Sequence, residues 1–150
     1  MAMAESVYVD ANVIVYALDP ATSFHAVSAG FWRSVAAGRV PAAVSPQVLH
    51  EAFVALTRRV GKPFDAAAAA GLLADVLATP GLRILAAGTV AAADALRLAA
   101  ARGVGGAGIY DVAHVAVMRE HGLHRIVTFN RRHFEGYEGI EPVAPPAEQP

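Results

Sequence analysis

Short β-prone runs alternate with helical stretches along the whole chain, and this alternation limits the fold more than any other feature of the sequence. The runs are Val7–Asp10, Val40–Val44, Leu82–Leu85 and Arg125–Thr128, with Ile140–Val143 as a candidate fifth. Between them the spacing predicts helices over 13–18, 24–37, 46–59, 66–78, 89–102 and 109–121. Pro20, Gly38, Pro80-Gly81, the glycine-rich stretch 103–108 and Gly122 punctuate them. Ser45 with Pro46 behind it, Asp65 and Thr89 stand where helix caps are wanted. Strands joined through helices pair in parallel by right-handed crossovers. The expected architecture is therefore a three-layer α/β/α domain around a central parallel sheet of four to five strands, spanning residues 1–144. Residues 145–150, Pro-Pro-Ala-Glu-Gln-Pro, read as a flexible C-terminal tail.

Composition narrows the class. The chain has 150 residues, enough for one core, and no cysteine, which excludes disulfide scaffolds and cysteine-zinc sites. Its apolar share of 55% exceeds the usual ~45–50%, and 34 alanines account for the excess, which points to close-packed helices. Asp65, Asp75, Asp94 and Arg97 interrupt the richest apolar stretches, so no membrane span is expected. The first five residues lack a basic lead into a long apolar run, and a cytoplasmic protein is the expectation. With 12 basic against 13 acidic residues there is no bulk attraction for nucleic acid, so binding a polyanion would need a local patch or a metal ion.

Parallel α/β sheets gather functional groups at the carboxyl ends of their strands, where strand order reverses. Asp10 ends the first strand, Glu51 lies one to two turns into the helix after the second, Asp111 opens the helix before the fourth, and Asn130 follows the fourth. All could meet at one sheet edge. Carboxylates sharing a pocket repel one another unless a positive group lies between them, and a hard divalent cation with oxygen ligands fits that need.

The order of these residues resembles the PIN-domain ribonucleases, in particular VapC-type toxins of toxin–antitoxin pairs. The matching pieces are Val9-Asp10-Ala11-Asn12, Glu51 within Val48–Phe53, Tyr110-Asp111-Val-Ala-His114, and Val127-Thr128-Phe-Asn130-Arg-Arg-His-Phe134. The resemblance runs over roughly residues 6 to 144. It implies a sheet order of 3-2-1-4-5 and a divalent-metal-dependent endoribonuclease that cleaves RNA and inhibits translation. It also implies Mg²⁺ or Mn²⁺ as cofactor, a cognate antitoxin and a homodimer. Asp10, Glu51, Asp111 and Asn130 would be catalytic, with Asp10, Asp111 and Glu51 holding the metal. Asn12 would orient Asp10, Thr128 would hold a water of the site, and Arg131 and Arg132 are candidate RNA contacts. Where the family has a fourth acid this chain has the amide of Asn130, one negative charge fewer. That departure motivates the alternative of a PIN-like RNA- or protein-binding domain with weak or no nuclease activity.

Other motifs carry less. Gly103-x-Gly105-x-x-Gly108 has dinucleotide-binding spacing but follows a helix rather than a strand. A receiver-type phosphoacceptor domain would want a lysine after its last strand, and the only lysine is Lys62. His114, His121, His124 and His133, without cysteine or an H-E-x-x-H pair, do not make a zinc site. His114 shares a helix face with Asp111 and could either approach the site or pack beneath it. Asp75 and Asp94 are expected to face solvent. Phe24, Phe31 and Trp32 could be core; the resemblance implies that this part of the chain contributes to the antitoxin groove or to dimer packing, so an exposed aromatic here would mark an interface.

Overall fold

A computed structural model describes residues 4–148. Its center is an all-parallel sheet of five strands: β1 (Val7–Val9), β2 (Ala42–Val44), β3 (Arg83–Ile84), β4 (Arg125–Val127) and β5 (Glu141–Val143). They lie side by side in the order β3-β2-β1-β4-β5. The chain works outward from β1 to β3, then crosses back to insert β4 against the free side of β1. Tyr8 is thereby in register with Ala43 on one side and Ile126 on the other.

Six helices among the described residues flank the sheet: α1 (Ala11–Leu18), α2 (His25–Ala36), α3 (Pro46–Arg58), α4 (Ala66–Leu77), α5 (Thr89–Arg102) and α6 (Ile109–Glu120). α1 packs on α2 and α3, α3 on α4, and α5 on α6. None is long and apolar enough to cross a membrane. The core holds Tyr8, Val9, Ile14, Phe31, Leu56, Met118, Ile126 and Phe134, all fully buried. The alanine excess is used here: Ala43, Ala52, Ala69, Ala91 and Ala116 are buried where larger side chains would hold neighboring elements apart. Phe31 joins this core, Trp32 is half-buried, and Phe24 is exposed.

The helix ends differ from the sequence expectation in instructive ways. α1 starts at Ala11, two residues early, because Asp10 caps it and accepts from the Ala11 amide. Asp65 does cap α4, but Ser45 does not bond the amides of α3. Its hydroxyl is instead 2.7 Å from the Tyr8 phenol. Thr89 is the first residue of α5 and Gly88 occupies the cap position. Asp94 does not simply face solvent: it is half-buried and pairs with Arg97 at 2.6 Å and with Arg119 of α6 at 3.3 Å, joining the two helices. Glu148, within the segment read as a tail, accepts two bonds from Arg33, while residues 149 and 150 lie outside the described residues.

The glycine-rich stretch between α5 and α6 is a tight reversal. Gly103 ends α5 in the left-handed conformation (φ 65°). At Gly108 a Cβ would lie 2.6 Å from Cγ1 of Val104. The turn therefore closes only on glycine, and its closure aims the start of α6, with Asp111, at the sheet edge.

Candidate metal centre at the carboxyl edge of the sheet

β1 and β4 are neighbors although most of the chain separates them, so the carboxyl ends of these two strands mark the point where strand order reverses. Asp10 follows β1 there and is buried. Oδ1 accepts from the Ala11 amide at 2.8 Å, and Oδ2 accepts from the Thr128 hydroxyl at 2.7 Å and from Nδ2 of Asn12 at 3.3 Å. Burial raises the Asp10 carboxyl above the usual range, and the negative charge of Glu51 adds to this against the lowering bonds from Thr128 and Ala11. Thr128 also accepts from the amide of Asn130 at 2.9 Å, so its hydroxyl is occupied in fixing Asp10 and the chain after β4. Asn12 closes the loop by accepting from the Phe129 amide at 3.3 Å.

Glu51 comes to the same place from the second turn of α3. Its Oε1 accepts from Nε2 of Gln47 one turn earlier, at 2.8 Å, and its Oε2 meets Nε2 of His114 at 2.9 Å. A carboxylate cannot donate, so Nε2 of His114 carries the proton. Nδ1 of His114 lies 2.8 Å from the Tyr8 phenol, which also shares a hydrogen bond with the Ser45 hydroxyl. The buried chain Ser45–Tyr8–His114 thus ends in one donor aimed at Glu51. Gln47 spends its two protons on Glu51 and on the Tyr110 carbonyl, so its 3.3 Å approach to His114 is a contact between donors. Burial works to raise the Glu51 carboxyl, but the bonds from His114 and Gln47, with Arg59 nearby, outweigh it and hold Glu51 below the usual range. Burial pushes the Tyr8 phenol far upward, so it stays protonated.

Asp10, Glu51 and His114 offer ligand atoms that all lie within 4.8 Å of one another. Both nitrogens of His114 are bonded within the protein, which leaves the two carboxylates as the oxygen donors for a cation. Asp111, half-buried in the first turn of α6, stands outside that group and pairs with Nδ1 of His133 at 3.0 Å. It still feels the cluster. Burial raises its carboxyl, as does repulsion from Asp10 and Glu51, while His133 pulls the other way. A partly buried, mutually repelling set of hard oxygen donors suits a divalent cation.

The structure therefore brings Asp10 and Glu51 together, with Asn12 and Thr128 bonded to Asp10 and Asp111 at the margin. Asn130 is exposed, and its backbone rather than its amide side chain enters the network. Arg131 and Arg132 are exposed on a single 3₁₀ turn (Arg131–His133) and form no ion pair among the described residues. Sequence reasoning leaves His114 between approaching the site and packing beneath it, and does not single out Tyr8, Gln47 or His133 as site residues. Tyr8 and Asp10 share one side of β1, Gln47 and Glu51 are four apart, and Asp111 and His114 three apart, so the periodicities do hold the signal.

A family model described as PIN domain matches residues 7–139. No curated protein matches the chain in sequence. Among solved structures, the chain resembles VapC20 of Mycobacterium tuberculosis, a sarcin–ricin loop cleaving toxin. Identity is 22%, the match covers 91% of this chain and 100% of that one, and the TM-score is 0.69. It resembles a chain of VapBC2 from Rickettsia felis, solved on a DNA fragment from its promoter, at 18% identity, 92% and 97% coverage and a TM-score of 0.65. A toxin–antitoxin complex from Klebsiella pneumoniae matches at 18% identity, 95% and 99% coverage and a TM-score of 0.63. Identities this low speak for a shared fold.

Proposed function

The chain belongs to the PIN-domain family, and from that premise we propose that it is a divalent-metal-dependent endoribonuclease acting as the toxin of a toxin–antitoxin pair. The observation that carries the reading is the meeting of Asp10 and Glu51, with Asp111 beside them, at the strand-order reversal. Asp10 and Glu51, with Asp111, would hold Mg²⁺ or Mn²⁺. When bound, such an ion supplies an activated water and a positive charge for the phosphoryl oxygens. The protein's own residues do the positioning. Thr128, Asn12 and the Ala11 amide fix both oxygens of Asp10, and His114 and Gln47 fix both oxygens of Glu51. Glu51 and Asp111 are the carboxylates placed to orient the attacking water or take its proton. Arg131 and Arg132 would meet phosphates of the incoming strand.

The biological setting belongs to the same proposal. The resemblance to VapC20 and to toxin–antitoxin complexes supports RNA cleavage and an antitoxin partner, and a homodimer and arrest of translation complete the proposal. Purified protein is expected to cleave RNA with Mg²⁺ or Mn²⁺, to leave 5′-phosphate and 3′-hydroxyl ends, and to stop in EDTA. Cyclic phosphate ends with undiminished cleavage in EDTA would overturn this. Induced expression should arrest growth for the natural chain and not for Asp10→Ala. The exposed amide at Asn130 favors a second reading, an RNA- or protein-binding PIN domain with weak or no nuclease activity. Equal cleavage by wild type and Asp10→Ala would mean a contaminant and leave that reading standing.

A further inference from the structure

Three aromatic rings form an open cluster beside the carboxylates. Tyr16 of α1, Phe24 at the start of α2 and Phe129, the residue between Thr128 and Asn130, contact one another pairwise. Their centroids are 5.2 Å apart for Tyr16–Phe24 and for Tyr16–Phe129, and 4.7 Å apart for Phe24–Phe129. Tyr16 and Phe24 stack at an interplanar angle of 27°, and the other two pairs are tilted or edge-on. Tyr16 and Phe129 are half-buried, while Phe24 is 44% exposed. The cluster is also held in place. His25 bonds the Tyr16 carbonyl at 2.9 Å, and the Phe129 amide donates to Asn12, which itself reaches Asp10.

We propose that this cluster is a nucleobase subsite, on which one unpaired base of the RNA stacks against Phe24 while the adjoining backbone enters the Asp10–Glu51 site. The proposal rests on the ribonuclease reading above. Every base has a π face, so an exposed ring beside a phosphodiester-cleaving site captures a splayed base whatever its sequence. The surroundings suit a polyanion: Arg131 and Arg132 follow Phe129 by two and three residues, exposed and with no ion pair among the described residues. Stacking strength rises with ring area, so the subsite favors purines.

The test is binding of fluorescein-labeled oligoadenylate and of an abasic ribose-phosphate oligomer, read by anisotropy in the Asp10→Asn background so that bound RNA stays intact. Phe24→Ala is expected to weaken oligoadenylate by about tenfold or more, Phe24→Leu nearly as much, and Phe24→Trp to hold or tighten it. The abasic oligomer should bind weakly and alike to all. Phe24→Leu preserves apolar volume, and matching melting temperatures show that the fold survives. Parent-like binding by Phe24→Leu, or an equal loss with the abasic oligomer, overturns the subsite. Unchanged RNA binding with an altered mass in sedimentation gives the cluster to a protein interface and also overturns it. If wild type cleaves RNA and Phe24 variants bind as the parent does, the subsite alone falls. If wild type neither cleaves nor binds RNA, the ribonuclease reading falls with it.

Discussion

The two walls of the carboxylate site are built on opposite principles. On the wall carrying buried Asp10 and half-buried Glu51, all four carboxylate oxygens are already bonded and a buried second row, Tyr8, Ser45 and His114, is bonded behind them. The wall carrying Asp111, Asn130 and Arg131–His133 is half-buried to exposed, and among the described residues the tie between its side chains is the Asp111–His133 pair. The first is set before any ligand arrives, since a fully satisfied buried network fixes its members' rotamers. The second keeps its charges toward solvent, where a large polyanion must enter. On the proposed function, fixed carboxylates on one side and exposed arginines on the other would divide the labor between holding a metal and receiving RNA.

Mutations can break this contrast. Asp10→Asn should have the largest effect, about a thousandfold or more on kcat, because the proposed metal ligand is neutralized while the cap to Ala11 survives. Circular dichroism should show an intact fold beside the lost activity. His114→Gln and Tyr8→Phe probe the row behind the fixed wall. Each is expected to lower activity and metal affinity by about 10–100-fold, and Tyr8→Phe should also cost ~1–3 kcal/mol of stability by stranding Ser45 and His114. The double variant should lose little more than the worse single, and full additivity would show that the two do not act through Glu51.

On the open wall the effects shrink. Asn130→Asp restores a carboxylate and should lower the Mn²⁺ concentration for half-activity by a few-fold, about 1 kcal/mol, with melting temperature unchanged. An unaltered metal titration would place position 130 beyond the cation's reach. Arg131→Ala and Arg132→Ala should each raise KM by only about two- to fivefold, leave kcat alone, and flatten the salt dependence of RNA binding. A large kcat loss from either would mean that the open wall takes part in the chemistry as directly as the fixed one, and the contrast would collapse.

How much of this is legible in the sequence follows the same division. The five strand runs and six helices are readable from periodicity and from glycine and proline, with ends displaced by a residue or two. The site edge is readable because Asp10 stands at the end of a strand and Glu51 near the start of a helix. Less legible is whatever depends on a distant partner. Ser45 looks like a cap because its local context is that of one, yet Tyr8, 37 residues away in sequence, takes its hydroxyl. His114 is ambiguous in sequence between lining the site and packing beneath it, and it does both: fully buried, it ends in a bond to Glu51. Asp94 looks solvated because nothing local reveals that Arg119 comes alongside it. Asn130 matches a site position in sequence, but the turn that follows directs its backbone rather than its side chain into the network.

The hydrogen bond between Asp10 and Thr128 joins residues 118 positions apart, across the two central strands of the sheet. During synthesis β1 emerges early, yet its side toward β4 stays unfilled until that much later strand has left the ribosome. Pairings of such long range form late. A growing chain thus carries Asp10 without Thr128, and Glu51 without His114, until α6 and β4 have emerged, and the assembled edge arrives only then. For the proposed nuclease, the strand order itself would be a timer.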